Sequence, residues 1–165
     1  MAKLFSLLIL AYAALSSGCA TTTGHTSGDI VDTDVAGKAD ATKEQRQKLI
    51  GTWYRKQPTK DGSTSEELTT MNADGIFVFQ FRLGSEATTY FEYGYWGVSA
   101  GYHFTISMAK GVTQDRMQRL NPQDHENYYV YRVLELSDAT FRYQGVATGN
   151  VFELHRVAPD FRLPQ

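Results

Sequence analysis

From Ile76 to Leu83 the chain reads IFVFQFRL, with Phe77, Phe79, Phe81 and Leu83 at every second position. A period of two sends alternate side chains to opposite faces of a strand, so this segment is predicted to be a β-strand with one aromatic face on a core. The same alternation returns in residues 102–108, where Tyr102, Phe104, Ile106 and Met108 share a face, and again in residues 128–136, 140–144 and 151–157. Further runs at 51–55, 66–71 and 88–99 bring the predicted strands to eight. Between them stand turn signals: Asn72-Ala73-Asp74-Gly75, Ala100-Gly101 and Ser137-Asp138, with a bend expected at Gly94 or Gly97.

Other stretches lack this rhythm. Residues 42–50 (TKEQRQKLI) read as a short helix, with Thr42 and Gln45 as a capping box and Leu49 and Ile50 as its apolar end. Residues 109–127 hold Gly111, Pro122 and mixed charges, and are expected to form a long loop with one helical turn near 114–120. Sequential strands joined by tight turns predict an all-β, up-and-down antiparallel sheet. Closing it into an eight-stranded barrel removes the exposed edges. Eight strands enclose an interior that side chains just fill, or that holds one small ligand. The expected core is Trp53, Phe77, Phe79, Phe81, Phe104, Ile106, Leu134, Phe152 and Leu154.

The opening of the chain has a different character. A basic start is followed by an apolar stretch at 4–15, too short for the roughly 20 residues that span a bilayer as a helix. Ser16, Ser17 and Gly18 then precede Cys19, the one cysteine of the chain. This arrangement resembles a bacterial lipoprotein signal, although Ser16 occupies a position where that family favours Leu, Val or Ile. The resemblance implies cleavage before Cys19, a diacylglyceryl group on its thiolate and an acylated amine. Thiolate nucleophilicity is the reason such a position must be cysteine. Each buried CH₂ adds about 0.8 kcal/mol, so two or three chains anchor a protein stably. With Ala20 following, the resemblance implies the outer membrane. Ordinary secretion with cleavage after Ala20 is the alternative. Residues 20–41, rich in Thr, Gly, Asp and Ala and without aromatics, read as a flexible tether spanning about 25 Å. The expected organisation is a signal peptide at 1–18, a tether at 19–41, a barrel domain at 42–158 and a tail at 159–165.

Composition narrows the function classes. A net charge of -2 and a pI near 6.1 give no basic footprint for nucleic acid. A single cysteine excludes an internal disulfide and a cysteine-rich metal site. His25, His103, His125 and His155 show no metal-ligand spacing, and no phosphate-loop, nucleophile-elbow or dinucleotide fingerprint occurs, so no metal or cofactor is expected.

Gly51-x-Trp53 after a short helix resembles the lipocalin and calycin signature. So do Asn72-Ala73-Asp74-Gly75-Ile76-Phe77, Trp96-Gly97-Val98, Leu134-Glu135-Leu136-Ser137-Asp138 and the closing Phe152-Glu153-Leu154-His155-Arg156-Val157. The resemblance covers residues 44–158, to a bacterial lipocalin-like domain. It implies that Trp53 plugs the closed end of the barrel and that Arg156 covers its ring. The ligand-lining candidates are Phe77, Phe79, Phe81, Glu92, Trp96 and Phe104. Alternation from Trp96 brings Glu92 inward, unless a bulge at Gly94 reverses it or it sits at a wet mouth. His103 and His155 are expected to face outward, Glu66-Glu67 to be a solvated pair, and Asp115, Arg116, Arg119, Asp124 and His125 to form a solvated cluster in the long loop. These features suggest a non-enzymatic, lipid-anchored envelope protein binding a small apolar ligand or serving a structural role. One alternative is a solid-core module for an envelope protein partner; another is a barrel enzyme using Glu92.

Overall fold

The computed structural model describes residues 33–84, 88–113 and 116–163, with side chains from Gly37 onward. The leader, Cys19, His25 and Asp115 lie outside the described residues. Helix α1 (Thr33–Leu49) leads into β1 (Gly51–Pro58), β2 (Thr64–Met71), β3 (Ile76–Leu83), β4 (Tyr90–Ser99), β5 (Tyr102–Gly111), the short β6 (Met117–Arg119), β7 (Tyr128–Leu136), β8 (Thr140–Gly145) and β9 (Val151–Val157). Each long strand pairs antiparallel with its predecessor, and β9 pairs back onto β1, so eight strands close into a barrel. The ninth, β6, runs beside the end of β5.

Helix α1 starts at Thr33, inside the segment expected to be tether, because Ala36, Lys38, Ala39 and Ala41 are strong helix formers. Of the expected helical turn near 114–120, Arg116 is in a 3₁₀ conformation and its amide donates to Thr113 O at 3.1 Å, residues 114–115 lie outside the described residues, and Met117–Arg119 form β6, which pairs Met117 with Gly111. The chain folds back so tightly there that a Cβ on Gly111 would lie 2.2 Å from the Arg116 carbonyl oxygen. A short 3₁₀ turn follows at His125–Asn127, capped by Asp124, whose carboxylate accepts from the Glu126 amide at 3.1 Å.

Two bulges decide which residues face inward. Tyr93 pairs with Ala109 and Gly94 with Ser107, so the extra residue, Met108, belongs to β5. The alternation of β4 therefore survives, and Glu92, Gly94 and Trp96 share the inner face. On β7, Val133 pairs with Tyr143 and Glu135 with Arg142, leaving Leu134 as the extra residue. Leu134 is 41% exposed, and Leu136 takes its expected place against the core. Strand β5 corrects a second expectation. The turn Ala100-Gly101 has positive φ at both residues (48° and 82°), as a two-residue hairpin of type I′ requires. It pairs Val98 with His103 and Gly97 with Phe104. His103, Thr105 and Ser107 consequently point inward, and Phe104 and Ile106 lie on the outer face. Phe104 covers Gly97, where a Cβ would meet its ring at 2.4 Å.

The core gathers at one end, where Leu49 of α1 meets Trp53, Met71, Phe77, Trp96, Phe141, Tyr143 and Leu154. Trp53 is fully buried, and its indole nitrogen donates to the Leu49 carbonyl at 2.8 Å. The Arg156 guanidinium lies 4.1 Å from the Trp53 ring centroid. It also donates to Ile50 O at 2.8 Å, to Asp138 O at 2.6 Å and to Lys48 O. A helix leaves its last carbonyls without intrahelical partners, and here they are met by one arginine and one indole. A second stack repeats the design: Arg46 of α1 lies 4.5 Å from the Trp96 ring and donates to Ala73 O at 3.0 Å, while the Trp96 indole donates to Asn72 O at 3.0 Å.

Gly51 joins helix to barrel at φ +138°, and a Cβ on it would stand 2.2 Å from Arg156 Nη1. Gly51→Ala is therefore expected to lose at least about 2 kcal/mol, from the disfavoured φ and the displaced guanidinium together. Leu134→Ala is expected to stay within about 0.5 kcal/mol of the parent. Urea unfolding of the two variants checks both.

Candidate functional site

Above the apolar floor the barrel interior turns polar. A cavity of about 250 Å³ is lined by Glu67, Thr69 and Met71 of β2, Phe77 and Phe79 of β3 and Glu92 of β4, and across from them by His103 and Thr105 of β5 and tyrosines 129, 131 and 143 of β7 and β8. Of the sequence-derived candidates, Phe77, Phe79 and Glu92 line it. Phe81 stacks on Phe79 with centroids 6.4 Å apart, while Trp96 belongs to the buried floor under Arg46. Phe104 lies on the outside, for the register reason given above. Gly51, Trp53 and Arg156 meet at the closed end and do not line the cavity.

The expectation of a solvated Glu66-Glu67 pair is overturned, since the two residues are 4% and 5% exposed. They sit on opposite faces of β2. Glu66 points outward, where the Tyr54 hydroxyl donates to it at 2.6 Å, Lys56 approaches to 3.6 Å and Arg82 pairs with it. Burial opposes its ionisation, but these partners outweigh burial and hold its carboxyl below the usual range. The Tyr54 phenol is pushed up to about 12 by burial and by the bond it donates to Glu66. Glu67 points inward. It takes Arg55 Nε at 2.9 Å and Nη2 at 2.5 Å, and the Tyr143 hydroxyl lies 3.4 Å from its other oxygen. Arg55 also lies 4.8 Å from the Phe152 ring centroid, so this inner ion pair has apolar walls.

Glu92 is held differently. Its carboxylate accepts from the Ser107 hydroxyl, and among the described residues no cation pairs with it. Its charge is felt across the cavity. Burial raises the Tyr131 phenol, and Glu67 and Glu92 raise it further; Tyr129 is raised by burial and then by Glu92 and Glu126.

His103 is the residue that sequence reasoning misplaced most. It is 3% exposed, stacks on Tyr131 at 5.5 Å and meets Phe141 edge-on at 5.6 Å. Among the described residues neither ring nitrogen has a hydrogen-bond partner. Burial lowers its pKa from 6.5 to about 3, so the imidazole is neutral near pH 7, with one donor and one acceptor. His155 faces outward beside Glu153, 3.7 Å away. In the long loop Arg116, Arg119, Asp124 and His125 are exposed.

Comparison with known proteins adds no relative: no family model matches the chain, and no curated protein matches it. The eight-stranded closed antiparallel barrel is compatible with a lipocalin-like fold.

The lowered pKa of His103 ties stability to pH. As pH falls below 6.5 the unfolded chain takes up a proton that the folded chain refuses, so stability declines down to about pH 3. The slope approaches about 1.4 kcal/mol per pH unit. Urea unfolding at pH 7 and pH 5 is expected to show this loss, and His103→Leu is expected to remove most of it.

Proposed function

We propose that this barrel carries a small molecule in its interior, and that it does so as a non-enzymatic, lipid-anchored envelope protein. The observation that supports carriage is the cavity of about 250 Å³ above the floor. For scale, a cavity of about 150 Å³ in another protein takes benzene. Its lining combines the apolar Met71, Phe77 and Phe79 with a small set of polar groups, the usual composition of a site that binds the body of a guest by contact and orients it by hydrogen bonds. Glu92 serves in this reading as a binding group. Envelope attachment through acylated Cys19 rests on the lipoprotein-like leader, and the barrel's likeness to lipocalins rests on Gly51, Trp53 and Arg156 together with eight-strand closure.

A second reading, a module that docks an envelope protein, is supported by the outer face of β3, β4 and β7. There Ile76, Tyr93, Tyr95, Tyr128 and Val130 are all exposed. The cavity favours carriage, because a docking module has no need of a hollow interior.

Nuclear magnetic resonance titration of the purified chain with para-ethylphenol tests the reading. Saturable shifts are expected for residues around the cavity, and Thr105→Trp, which fills it, is expected to abolish them with the fold intact. Undiminished binding to the filled variant would overturn the proposal.

A further inference from the structure

The interior charge of the barrel is unbalanced. Glu67 is neutralised by Arg55, His103 is uncharged near pH 7, and Glu92 has only the Ser107 hydroxyl. Lys110 stands opposite Glu92 in the β4–β5 register, but it is exposed and makes no ion pair with it. Around the carboxylate stand aromatic rings: Phe79 is its cross-strand neighbour, and Phe77, Tyr129 and Tyr131 line the same space. The face of an aromatic ring is the negative part of its quadrupole, so rings and carboxylate attract the same sign of charge. An anionic guest would meet Glu92, the second carboxylate of Glu67 and electron-rich phenols.

A second observation points to a ligand independently. His103 is nine-tenths buried or more, borders the cavity and has both nitrogens unpartnered. It lies one inward position along β5 from Thr105 and two from Ser107, which holds Glu92. The cavity thus carries an acceptor of negative charge toward one end and a neutral hydrogen-bonding group toward the floor.

We infer that the guest is a small organic cation, with an ammonium group at Glu92, an apolar body among Phe77, Phe79 and Tyr131, and a hydrogen-bonding group that reaches His103. The inference rests on the reading of the barrel as a carrier and adds the chemical class of what it carries. Glu92 and His103 set the two ends of the guest, and the rings between them set its thickness.

Three probes of one shape separate the possibilities: tyramine, which is cationic, para-ethylphenol, which is neutral, and para-hydroxyphenylpropanoate, which is anionic. Each is titrated calorimetrically into the full chain at pH 7 and low salt. Tyramine is expected to bind at least about tenfold more tightly than para-ethylphenol and the anion more weakly than either. Glu92→Gln, which keeps an oxygen for Ser107, is expected to erase the tyramine advantage over para-ethylphenol. Binding of para-ethylphenol as tight as that of tyramine, or a tyramine preference that survives Glu92→Gln, would overturn the inference while leaving carriage standing. Absence of binding by all three probes would overturn carriage and the inference together.

Discussion

The side chain of Arg156 holds the closed end of this barrel together. It reaches from the last strand across the Trp53 ring to the carbonyls of Lys48 and Ile50, and from there to the turn at Asp138. Trp53 supplies the partner for the carbonyl between them, at Leu49. Helix end, first strand, last strand and the β7–β8 turn are thereby fixed at one point. A guanidinium is suited to the task because its planar fork can donate in several directions while its face rests on an indole. Lysine could offer the charge without the fork. Because Gly51 must leave room for Nη1, the spacing of glycine, tryptophan and arginine in the chain is the linear record of a single packing problem.

A floor made rigid in this way leaves the rest of the interior free to be polar. The residues above it include carboxylates, hydroxyls and an imidazole, which a fully packed core would exclude. Glu67 is tolerated because Arg55 and Tyr143 meet it; Glu92 has the Ser107 hydroxyl but no cation, His103 has no partner among the described residues, and both border open space. The fold thus separates its tasks along the barrel axis, with apolar contact near α1 and recognition chemistry beyond it. The same separation explains why the apolar outer residues of β5 were misleading: Phe104 stabilises the wall by covering Gly97 from outside, as an aromatic does beside a strand glycine.

Much of this architecture was legible in the sequence. Strand β3 had its inner phenylalanines in plain alternation, the turns carried Gly75 and Gly101 where positive φ was needed, and the bounds of β7 and β9 followed the period. Glu92 was reachable from Trp96 by counting in twos. Two things were hidden for physical reasons. A bulge adds one residue without a mark in composition, and at Leu134 that was enough to turn a leucine outward. On β5 hydrophobicity pointed one way and hairpin geometry the other. A two-residue turn at Ala100-Gly101 pairs His103 with Val98, so an inward Val98 already required an inward His103. Register is the stronger constraint, since backbone hydrogen bonds fix it, whereas an apolar outer face only costs some exposure. The tether boundary was misplaced because alanine-rich composition was read as lack of order when it also favours helix.

The central claim is that Arg156 and Trp53 act as one unit that seals the barrel against α1. A double-mutant cycle with Trp53→Phe, Arg156→Lys and the pair, followed by urea unfolding, measures this directly. A coupling of about 1 kcal/mol or more is expected, because the ring and the fork share their contacts and the helix end depends on both. Additivity within about 0.3 kcal/mol would contradict it.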